Sequence, residues 1–189
     1  MPNILIVGVG GQGSLLASRM IGAFYKNQGL TVKVSEVHGM SQRGGSVVTY
    51  VRAGEDVASP IIPVGEADVI LSFEELEALR WAHYAKEGGA IVYSTQHISP
   101  MPVITGAAEY PSEIPEKLTK YNVRQRAVDA LSLSLEAGNV KAANVVLIGA
   151  ASKLLGGSDE DWAKVLEEVV PAKFIDLNRR AFALGAEQE

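Results

Sequence analysis

The residues best suited to contact another molecule lie in one polar segment, Val37 to Arg52, with the sequence VHGMSQRGGSVVTYVR. This segment carries His38, Arg43 and Arg52 and no acidic residue, although the whole chain has 22 Asp and Glu against 17 Lys and Arg. Glycines on both sides of the polar residues let the backbone lie close against a neighbour. Polar loops on a rigid scaffold are frequent binding sites. The segment therefore predicts a loop that contacts a ligand or a partner.

A second candidate is the glycine turn Gly8-Val9-Gly10-Gly11-Gln12-Gly13, which follows the apolar run Asn3 to Val7 and precedes a helical pattern. In this context the Gly-x-Gly-x-x-Gly spacing is typical of a dinucleotide-binding turn, where a helix N-terminus offers free N–H groups to a phosphate. Glu36 ends the next strand-like run, where a ribose partner would stand. The alternative is that a tight turn between strand and helix needs glycine with or without a ligand. The inserted Gly11-Gln12 is also unusual for nicotinamide or flavin binding.

A complete catalytic set is missing from the sequence. His38 has no nucleophile or carboxylate partner that its spacing identifies, so a contact role suits it better than general-base catalysis. The chain contains no cysteine, which excludes thiolate chemistry and the usual ligation of an iron–sulfur cluster. Three scattered histidines do not make a zinc site. We therefore predict no catalytic residue and no metal ligand in this chain. Its predicted role is to form one wall of a binding site, to clamp a ligand or to provide a docking surface.

The elements that must position the two segments follow an α/β pattern. Strand Asn3–Val7, a helix that stops at Gly29 and strand Thr31–Glu36 predict a right-handed, Rossmann-like βαβ unit. Apolar runs and helical periodicity place the later elements. Strands are predicted at Ser46–Arg52, Ala67–Phe73, Ala90–Ser94 and Tyr121–Ala127, and helices at Glu74–Lys86, Asp129–Ala137, Val140–Leu155, Asp159–Val169 and Ala172–Leu184. Gly88-Gly89 is the predicted stop of the helix that begins at Glu74, Ser158 is the predicted N-cap of the helix that begins at Asp159, and Asn144 is predicted to be a satisfied buried amide. The expected fold is a three-layer α/β/α structure with a mostly parallel open sheet and a helical C-terminal part.

Length and composition predict one globular domain of 189 residues, with a sheet portion at 1–128 and a helical portion packed on it at 129–189. The net charge of −5 is evidence against a nucleic-acid binder, which would show a broad basic face. The most apolar late run, Asn144 to Leu155, is shorter than the roughly 20 residues that span a membrane. With no secretory signal pattern at the start, these features predict a cytoplasmic protein without membrane contact.

Several segments of the chain resemble the gamma domain family of the 2-oxoacid:ferredoxin oxidoreductases. The longest matching run, SEVHGMSQRGGS from Ser35 to Ser46, has an unusual composition and carries most of the resemblance. The Tyr93–Thr95 segment departs from the family, where relatives often place an asparagine. The other matching segments are Gly8–Gly13, Ser59-Pro60, Gly65–Asp68, Phe73-Glu74, Leu76–Ala78, Tyr110-Pro111, Gly138-Asn139, Asn144, Asn178 and Ala181-Phe182.

The resemblance implies a subunit of an oxidoreductase that is inactive alone. In that family a 2-oxoacid is decarboxylated on thiamine diphosphate, electrons pass through 4Fe–4S clusters to ferredoxin, and an acyl-CoA is released. The thiamine diphosphate, its Mg²⁺ and the clusters are expected on a larger partner subunit, and coenzyme A is a co-substrate. The likeness is greatest to members that act on indolepyruvate. Members of the family that act on pyruvate, 2-oxoglutarate or ketoisovalerate remain alternatives. A different function, that of a free-standing nucleotide-binding module, also remains open. In isolation the chain could form a homodimer.

The resemblance also indicates which residues would lie nearest the cofactors and the partner. It leaves open which of them touches coenzyme A. These predicted contact residues are Gly8, Gly10, Gly11, Gln12, Gly13, His38, Ser41, Gln42, Arg43, Gly44 and Gly45.

Overall fold

One six-stranded sheet forms the centre of the computed structural model, which describes residues 2–38 and 44–188. The strands are β1 (Asn3–Val9), β2 (Thr31–His38), β3 (Ser46–Gly54), β4 (Ala67–Ser72), β5 (Ala85–Ser94) and β6 (Arg124–Val128). The helices are α1 (Ser14–Asn27), α2 (Glu75–Trp81), α3 (Met101–Ile104), α4 (Ile114–Leu118), α5 (Ala130–Ala137), α6 (Ala143–Leu155), α7 (Asp159–Val169) and α8 (Ile175–Ala186). Short 3-10 turns follow α2 and α4 and precede α6 and α8.

The strand order is β2-β3-β1-β4-β5-β6. Strands β1, β4, β5 and β6 pair in parallel, whereas β3 runs antiparallel to both of its neighbours. Five of the six strands therefore point in one direction, which confirms the predicted mostly parallel α/β sheet. Strand β2 is not the neighbour of β1, however, because β3 lies between them and its Val48 pairs with both Val7 and Val37. The predicted first βαβ unit is therefore present with parallel strands, but β3 is inserted between its two strands.

The amino-acid composition of the two strands explains this order. Residues 47–51 of β3 are all buried, as expected of a strand covered on both faces. Strand β2 instead leaves Lys33, Val34 and Glu36 exposed. A strand with exposed charges suits the edge of a sheet, where charged side chains discourage pairing with another chain. The polar β2 is therefore displaced to the edge and the apolar β3 takes the place beside β1.

Helices cover both faces of the sheet. On one face, Ile4 and Ile6 of β1 join a core cluster with buried side chains of α1, α6, α7 and α8. On the other face, Leu5 and Val7 pack with Ala78 of α2 and with α4. The alternation of neighbouring residues between two apolar clusters is what a strand buried on both sides requires. The three-layer α/β/α arrangement is confirmed.

The helix predicted at Glu74–Lys86 is shorter than expected. Helix α2 ends at Trp81, a 3-10 turn covers Ala82–Tyr84, and β5 begins at Ala85. The predicted stop signal, Gly88-Gly89, lies inside β5, where the pairing with β4 shifts register. A Cβ on Gly89 would lie 2.8 Å from the Lys86 carbonyl oxygen, so the glycines permit an irregularity in a strand instead of ending a helix.

The N-terminus of α7 confirms the predicted cap at Ser158. The Ser158 hydroxyl accepts a hydrogen bond from the Asp161 amide, and the Asp161 carboxylate accepts one from the Ser158 amide, which completes a capping box. These hydrogen bonds from Ser158 lower the pKa of Asp161.

We expect Ser158→Ala to lower the free energy of unfolding by about 1 kcal/mol at neutral pH, because the cap of α7 is lost. A carboxyl with a lowered folded-state pKa stabilises the protein above its unfolded pKa and loses that effect as the pH falls through the folded value. The loss in the free energy of unfolding that Ser158→Ala causes should therefore be smaller at acidic pH than at neutral pH. Urea unfolding at neutral and acidic pH measures it, and a deficit that grows in acid would contradict the capping role.

Candidate functional site

The two predicted segments meet at the carboxyl ends of the parallel strands. Helix α1, which follows β1, packs on one face of the sheet, and α2, which follows the neighbouring β4, packs on the other. The connections that leave β1 and β4 therefore run to opposite faces of the sheet. They open a crevice between these two strands, at their carboxyl ends. In open α/β sheets, ligands bind at such switch points. The glycine turn after β1 lies in this crevice.

The side chain of Gln12 ties three strand ends together. Its Oε1 accepts a hydrogen bond of 2.7 Å from the Val9 amide, and its Nε2 donates to the Phe73 carbonyl oxygen at 2.8 Å. The same Nε2 donates to Oε1 of Gln96, in the loop that follows β5, at 3.1 Å. Gln12 thus links β1, β4 and the exit of β5. Its amide is used inside the protein, so the side chain shapes the turn.

The first two glycines of the pattern are explained by contacts within the chain. A Cβ on Gly8 would lie 2.9 Å from Oε1 of Gln12 and 3.1 Å from Cβ of Phe73, so glycine leaves room for the Gln12 side chain. The Gly10 amide donates a 2.9 Å hydrogen bond to the carbonyl oxygen of Gly45. The glycine turn and the end of the polar loop are therefore joined by their backbones.

The other two glycines have positive φ angles, +101° at Gly11 and +89° at Gly13, a region that favours glycine. They differ in their surroundings. Among the residues that the structure describes, a Cβ on Gly11 would meet nothing within 4 Å, whereas a Cβ on Gly13 would overlap the side-chain amide of the buried Asn144. The Asn144 amide in turn donates to the Gly13 carbonyl oxygen at 3.3 Å and accepts from the Val145 amide, which confirms it as a satisfied buried amide.

This difference predicts a graded response to alanine. Gly11→Ala should cost about 1 kcal/mol, the strain of a left-handed residue, and Gly13→Ala about 2 kcal/mol, because the displaced Asn144 adds to that strain. Thermal unfolding of the two variants gives the ranking. Equal losses at both positions would show that the Asn144 contact adds nothing.

A cavity of about 460 Å³ opens on the α1 side of the turn. The first turn of α1 has no acidic residue and no side-chain cap, so the helix N-terminus presents a partial positive charge there. Lys141 and Val140, just before α6, form the opposite wall. The polar side chains that also line this cavity are those of Gln12, Ser94, Gln96 and Asn144, and Gly11 and Gly13 contribute their backbone.

A groove of about 560 Å³ opens on the opposite side of the turn. Gly44, Gly45 and Ser46 form one wall, and α2 with the segment after β5 forms the other. The predicted contact residues Ser41, Gln42 and Arg43 lie outside the described part of the chain. For His38, the structure describes the backbone at the end of β2, and the side chain lies outside the described part.

Two buried carboxylates form the floor of this groove. Glu74 is 1% exposed and accepts hydrogen bonds from the amides of Glu77 and Ile98 and from the Tyr110 hydroxyl at 2.5 Å. Burial, and then the contact with Glu74, raises the pKa of Tyr110, so the phenol stays protonated and donates. Glu77, 4% exposed, is bound by Arg80 and by groups of two other residues. Both carboxylates are therefore fully engaged within the protein.

In the part of the chain that the structure describes, the residues that a nucleotide-binding or metal site would need are not brought together. Glu36 lies on β2, two strands away from β1, about 10 Å at the usual strand spacing. Within residues 2–38 and 44–188, no group of His, Asp and Glu is arranged to hold a metal ion. The same part of the chain contains no helix long and apolar enough to cross a membrane.

Sequence reasoning missed Gln96 and the role of Glu77. Gln96 lies two residues after the end of β5, and its position just after a parallel strand is the signal that could have indicated it. Glu77 was noted as part of a matching segment, but nothing in its spacing indicates that it reaches β3. Its contact partner lies 31 residues earlier in the chain.

Comparisons with known proteins identify relatives of this chain. Residues 3–188 match the family model described as pyruvate ferredoxin/flavodoxin oxidoreductase. The indolepyruvate oxidoreductase subunit IorB of Thermococcus kodakarensis is 48% identical over 188 residues, which cover 97% of this chain and 93% of that protein.

Two solved structures share the fold. The pyruvate oxidoreductase subunit PORC of Thermotoga maritima has a TM-score of 0.75 at 24% identity, covering 99% of this chain and 96% of that one. The 2-oxoglutarate:ferredoxin oxidoreductase of Magnetococcus marinus, with 2-oxoglutarate, coenzyme A and succinyl-CoA bound, has a TM-score of 0.73 at 23% identity, covering 98% of this chain and 30% of that one. The family model and the 48% identity over nearly the full length establish that the chain belongs to the pyruvate ferredoxin/flavodoxin oxidoreductase family.

Proposed function

We propose that this chain is the small subunit of an indolepyruvate:ferredoxin oxidoreductase and works only together with a larger subunit. The 48% identity to subunit IorB of T. kodakarensis over 97% of the chain carries the proposal. The assembled enzyme would decarboxylate an aryl 2-oxoacid, form an acyl-CoA and pass two electrons to ferredoxin. In that complex, which we place in the cytoplasm, residues 1–189 would act as one gamma-type domain, with 129–189 packed on the sheet portion 1–128.

Thiamine diphosphate, its Mg²⁺ and the 4Fe–4S clusters are assigned to the larger subunit. The chain has no cysteine to supply thiolate ligands. In the described part of the chain, the carboxylates Glu74 and Glu77 are bound by protein donors and no metal-ligand group is present. The residues present therefore do not fit a cluster or a Mg²⁺ ion, and no step of the reaction is assigned to this chain.

Coenzyme A, which carries phosphates, is the co-substrate that the cavity beside α1 suits best. The uncapped first turn of α1, the open backbone at Gly11 and the ammonium of Lys141 are groups that favour an anion. In this proposal Gly11 and Gly13 lie against the ligand in the cavity. The loop residues from His38 to Gly45, whose described end lines the groove on the other side of the turn, contact the larger subunit or a part of coenzyme A that extends across the turn. Gly8, Gly10 and Gln12 would act by shaping the turn. The Gly10 amide and the Gln12 side chain are hydrogen-bonded within the protein, and the Gln12 side chain fills the space beside Gly8.

A docking surface for the larger subunit is supported by exposed apolar side chains around the same edge. Met101 and Ile104, each 65% exposed, stand beside the groove. Leu15, at the start of α1, and Val140, on the cavity wall, are also exposed. Exposed apolar side chains rimmed by polar groups are typical of protein contact sites.

Reconstitution tests the proposal directly. The purified chain alone should show no indolepyruvate-dependent reduction of a viologen dye in the presence of coenzyme A, and addition of the larger subunit should produce it. Comparison with pyruvate, 2-oxoglutarate and 2-oxoisovalerate at equal concentration then ranks the substrates. Dye reduction by this chain alone would disprove the dependence on a partner.

The alternative of a free-standing nucleotide-binding module rests on the glycine turn. The position of Glu36, two strands from β1, disfavours it. Calorimetric titration with NAD(H), NADP(H) and FAD separates the two functions, since a subunit of the proposed kind should give no heat at millimolar ligand.

Arg43→Ala tests the loop. If the loop contacts coenzyme A or the larger subunit, loss of one charge-assisted hydrogen bond should raise the KM for coenzyme A or the Kd for the partner by about tenfold. Arg124→Ala is a matched control, because Arg124 is an exposed arginine at the opposite end of the sheet. Equal, small effects of the two changes would show that Arg43 is an ordinary solvated residue.

A further inference from the structure

Glu77 is a buried carboxylate whose contacts extend beyond its own helix. Its Oε1 accepts a 2.9 Å hydrogen bond from Nε of Arg80, and its Oε2 accepts one of 3.2 Å from the Trp81 indole. Both donors lie on α2, so these two hydrogen bonds stay within the helix. The third donor is the hydroxyl of Ser46, the first residue of β3. A charge this deeply buried is costly unless it is paired and hydrogen-bonded, so each of these contacts matters.

The contact with Ser46 places Glu77 at the end of the polar loop. Ser46 directly follows Gly44 and Gly45, and the Gly45 carbonyl oxygen accepts the hydrogen bond from the Gly10 amide. The three residues Gly44–Ser46, which we call the loop stem, are thus held by their backbone and by one side chain. The backbone contacts are the bond from Gly10 to Gly45 and the pairing of Ser46 with Val9 at the start of β3. At the side chain, the Ser46 hydroxyl donates to the carboxylate of Glu77 and accepts from the Trp81 indole at 3.3 Å.

We propose that Glu77 is a positioning residue, whose carboxylate fixes Ser46 and thereby keeps the loop stem against the glycine turn. The positioning itself is independent of the proposed function. Its consequence for catalysis rests on that function, because it assumes that the loop and the turn together contact coenzyme A or the larger subunit. Glu77 does not touch the reacting atoms in this proposal.

The neighbouring Glu74 provides a matched control. It is equally buried and caps the N-terminus of the same helix, but its partners are the amides of Glu77 and Ile98 and the Tyr110 hydroxyl, not the loop stem. Loss of the hydrogen bond between Glu77 and Ser46 should therefore expose the Gly10 amide to solvent. Loss of the Glu74 contacts should instead expose the Ile98 amide. A general loss of stability would affect both amides alike.

Amide hydrogen exchange of the full chain, followed by NMR, tests the positioning. In Glu77→Gln and in Ser46→Ala, exchange at Gly10 should accelerate by about tenfold relative to the wild type, while exchange at Ile98 should not change. Ser46→Thr keeps the hydroxyl and should restore slow exchange at Gly10. Glu74→Gln should show the reverse pattern. If Glu77→Gln does not fold, Ser46→Ala carries the test, since Ser46 is an exposed residue and the substitution leaves the buried carboxylate in place.

An unchanged Gly10 exchange rate in Ser46→Ala would overturn the proposal. The same variants in the reconstituted enzyme should raise the KM for coenzyme A or the Kd for the partner several-fold, and Ser46→Thr should restore both values. Faster Gly10 exchange with unchanged KM and Kd would leave the positioning role intact and count against the loop's place in the proposed function. The two proposals therefore fail separately.

Discussion

Gly185→Ala should destabilise the protein by about 3 kcal/mol or more, the largest effect that we expect from a single methyl group. Gly185 of α8 packs directly on α6. A Cβ at this position would overlap the carbonyl oxygen of Val146 and lie 2.8 Å from its carbonyl carbon. These are backbone atoms of a buried helix and cannot turn aside as a side chain can. The two helices would have to separate, which would open the core that they share with the sheet.

The reciprocal change and a control sharpen this prediction. Gly149→Ala on α6 should have a similar effect, because its Cβ would overlap the Phe182 carbonyl oxygen of α8. Gly22→Ala on α1 should instead stabilise by up to about 1 kcal/mol, since its Cβ would meet Val32 at an ordinary 3.8 Å and alanine favours the helix. Urea unfolding followed by circular dichroism measures all three. A Gly185→Ala variant as stable as the wild type would show that α6 and α8 do not pack this closely.

Much of the fold was predictable because its signals are local. The buried runs in β1 and β4, the stop at Gly29 and the cap at Ser158 each depend on a few neighbouring residues, and the structure confirms them. The insertion of β3 between β1 and β2 was not predictable in this way. Strand order depends on which strand can be covered on both faces, and that is decided by packing between elements distant in sequence.

The site was predictable in part for the same reason. The family resemblance, which the comparisons confirm, predicts the glycine turn and the polar loop as contact segments, and the structure joins the turn to the end of the loop. The reason for each glycine was not visible, because Gly8 makes room for a side chain four residues later and Gly13 for Asn144, 131 residues later. The partners of Glu77 and Gln96 also come from distant parts of the chain. Spacing along the sequence identifies a segment, whereas its hydrogen-bond partners follow from the topology.

Gln12→Glu should lower the free energy of unfolding by about 3 kcal/mol at neutral pH, although it changes one NH₂ group into an oxygen. The Val9 amide would keep its acceptor. The new carboxylate oxygen would stand where Nε2 now donates to the Phe73 carbonyl oxygen at 2.8 Å. Gln96 can rotate its amide and become a donor, but a backbone carbonyl cannot. The charge would therefore face an oxygen in a half-buried position, and the link between β1 and β4 would be broken.

The pH dependence of this variant tests the cause. Repulsion by the Phe73 carbonyl should raise the pKa of the new carboxyl above the value of about 4.3 in the unfolded chain. An acid with a raised folded-state pKa destabilises the protein increasingly as the pH rises from the unfolded to the folded pKa. The protonated form can donate to Phe73 as the amide does, so the deficit should be smaller at about pH 5 than at about pH 8. Gln28→Glu, on an exposed residue at the end of α1, should cost less than about 1 kcal/mol at either pH. A Gln12→Glu deficit that is the same at both pH values would mean that lost packing, and not the reversed hydrogen bond to β4, accounts for the effect.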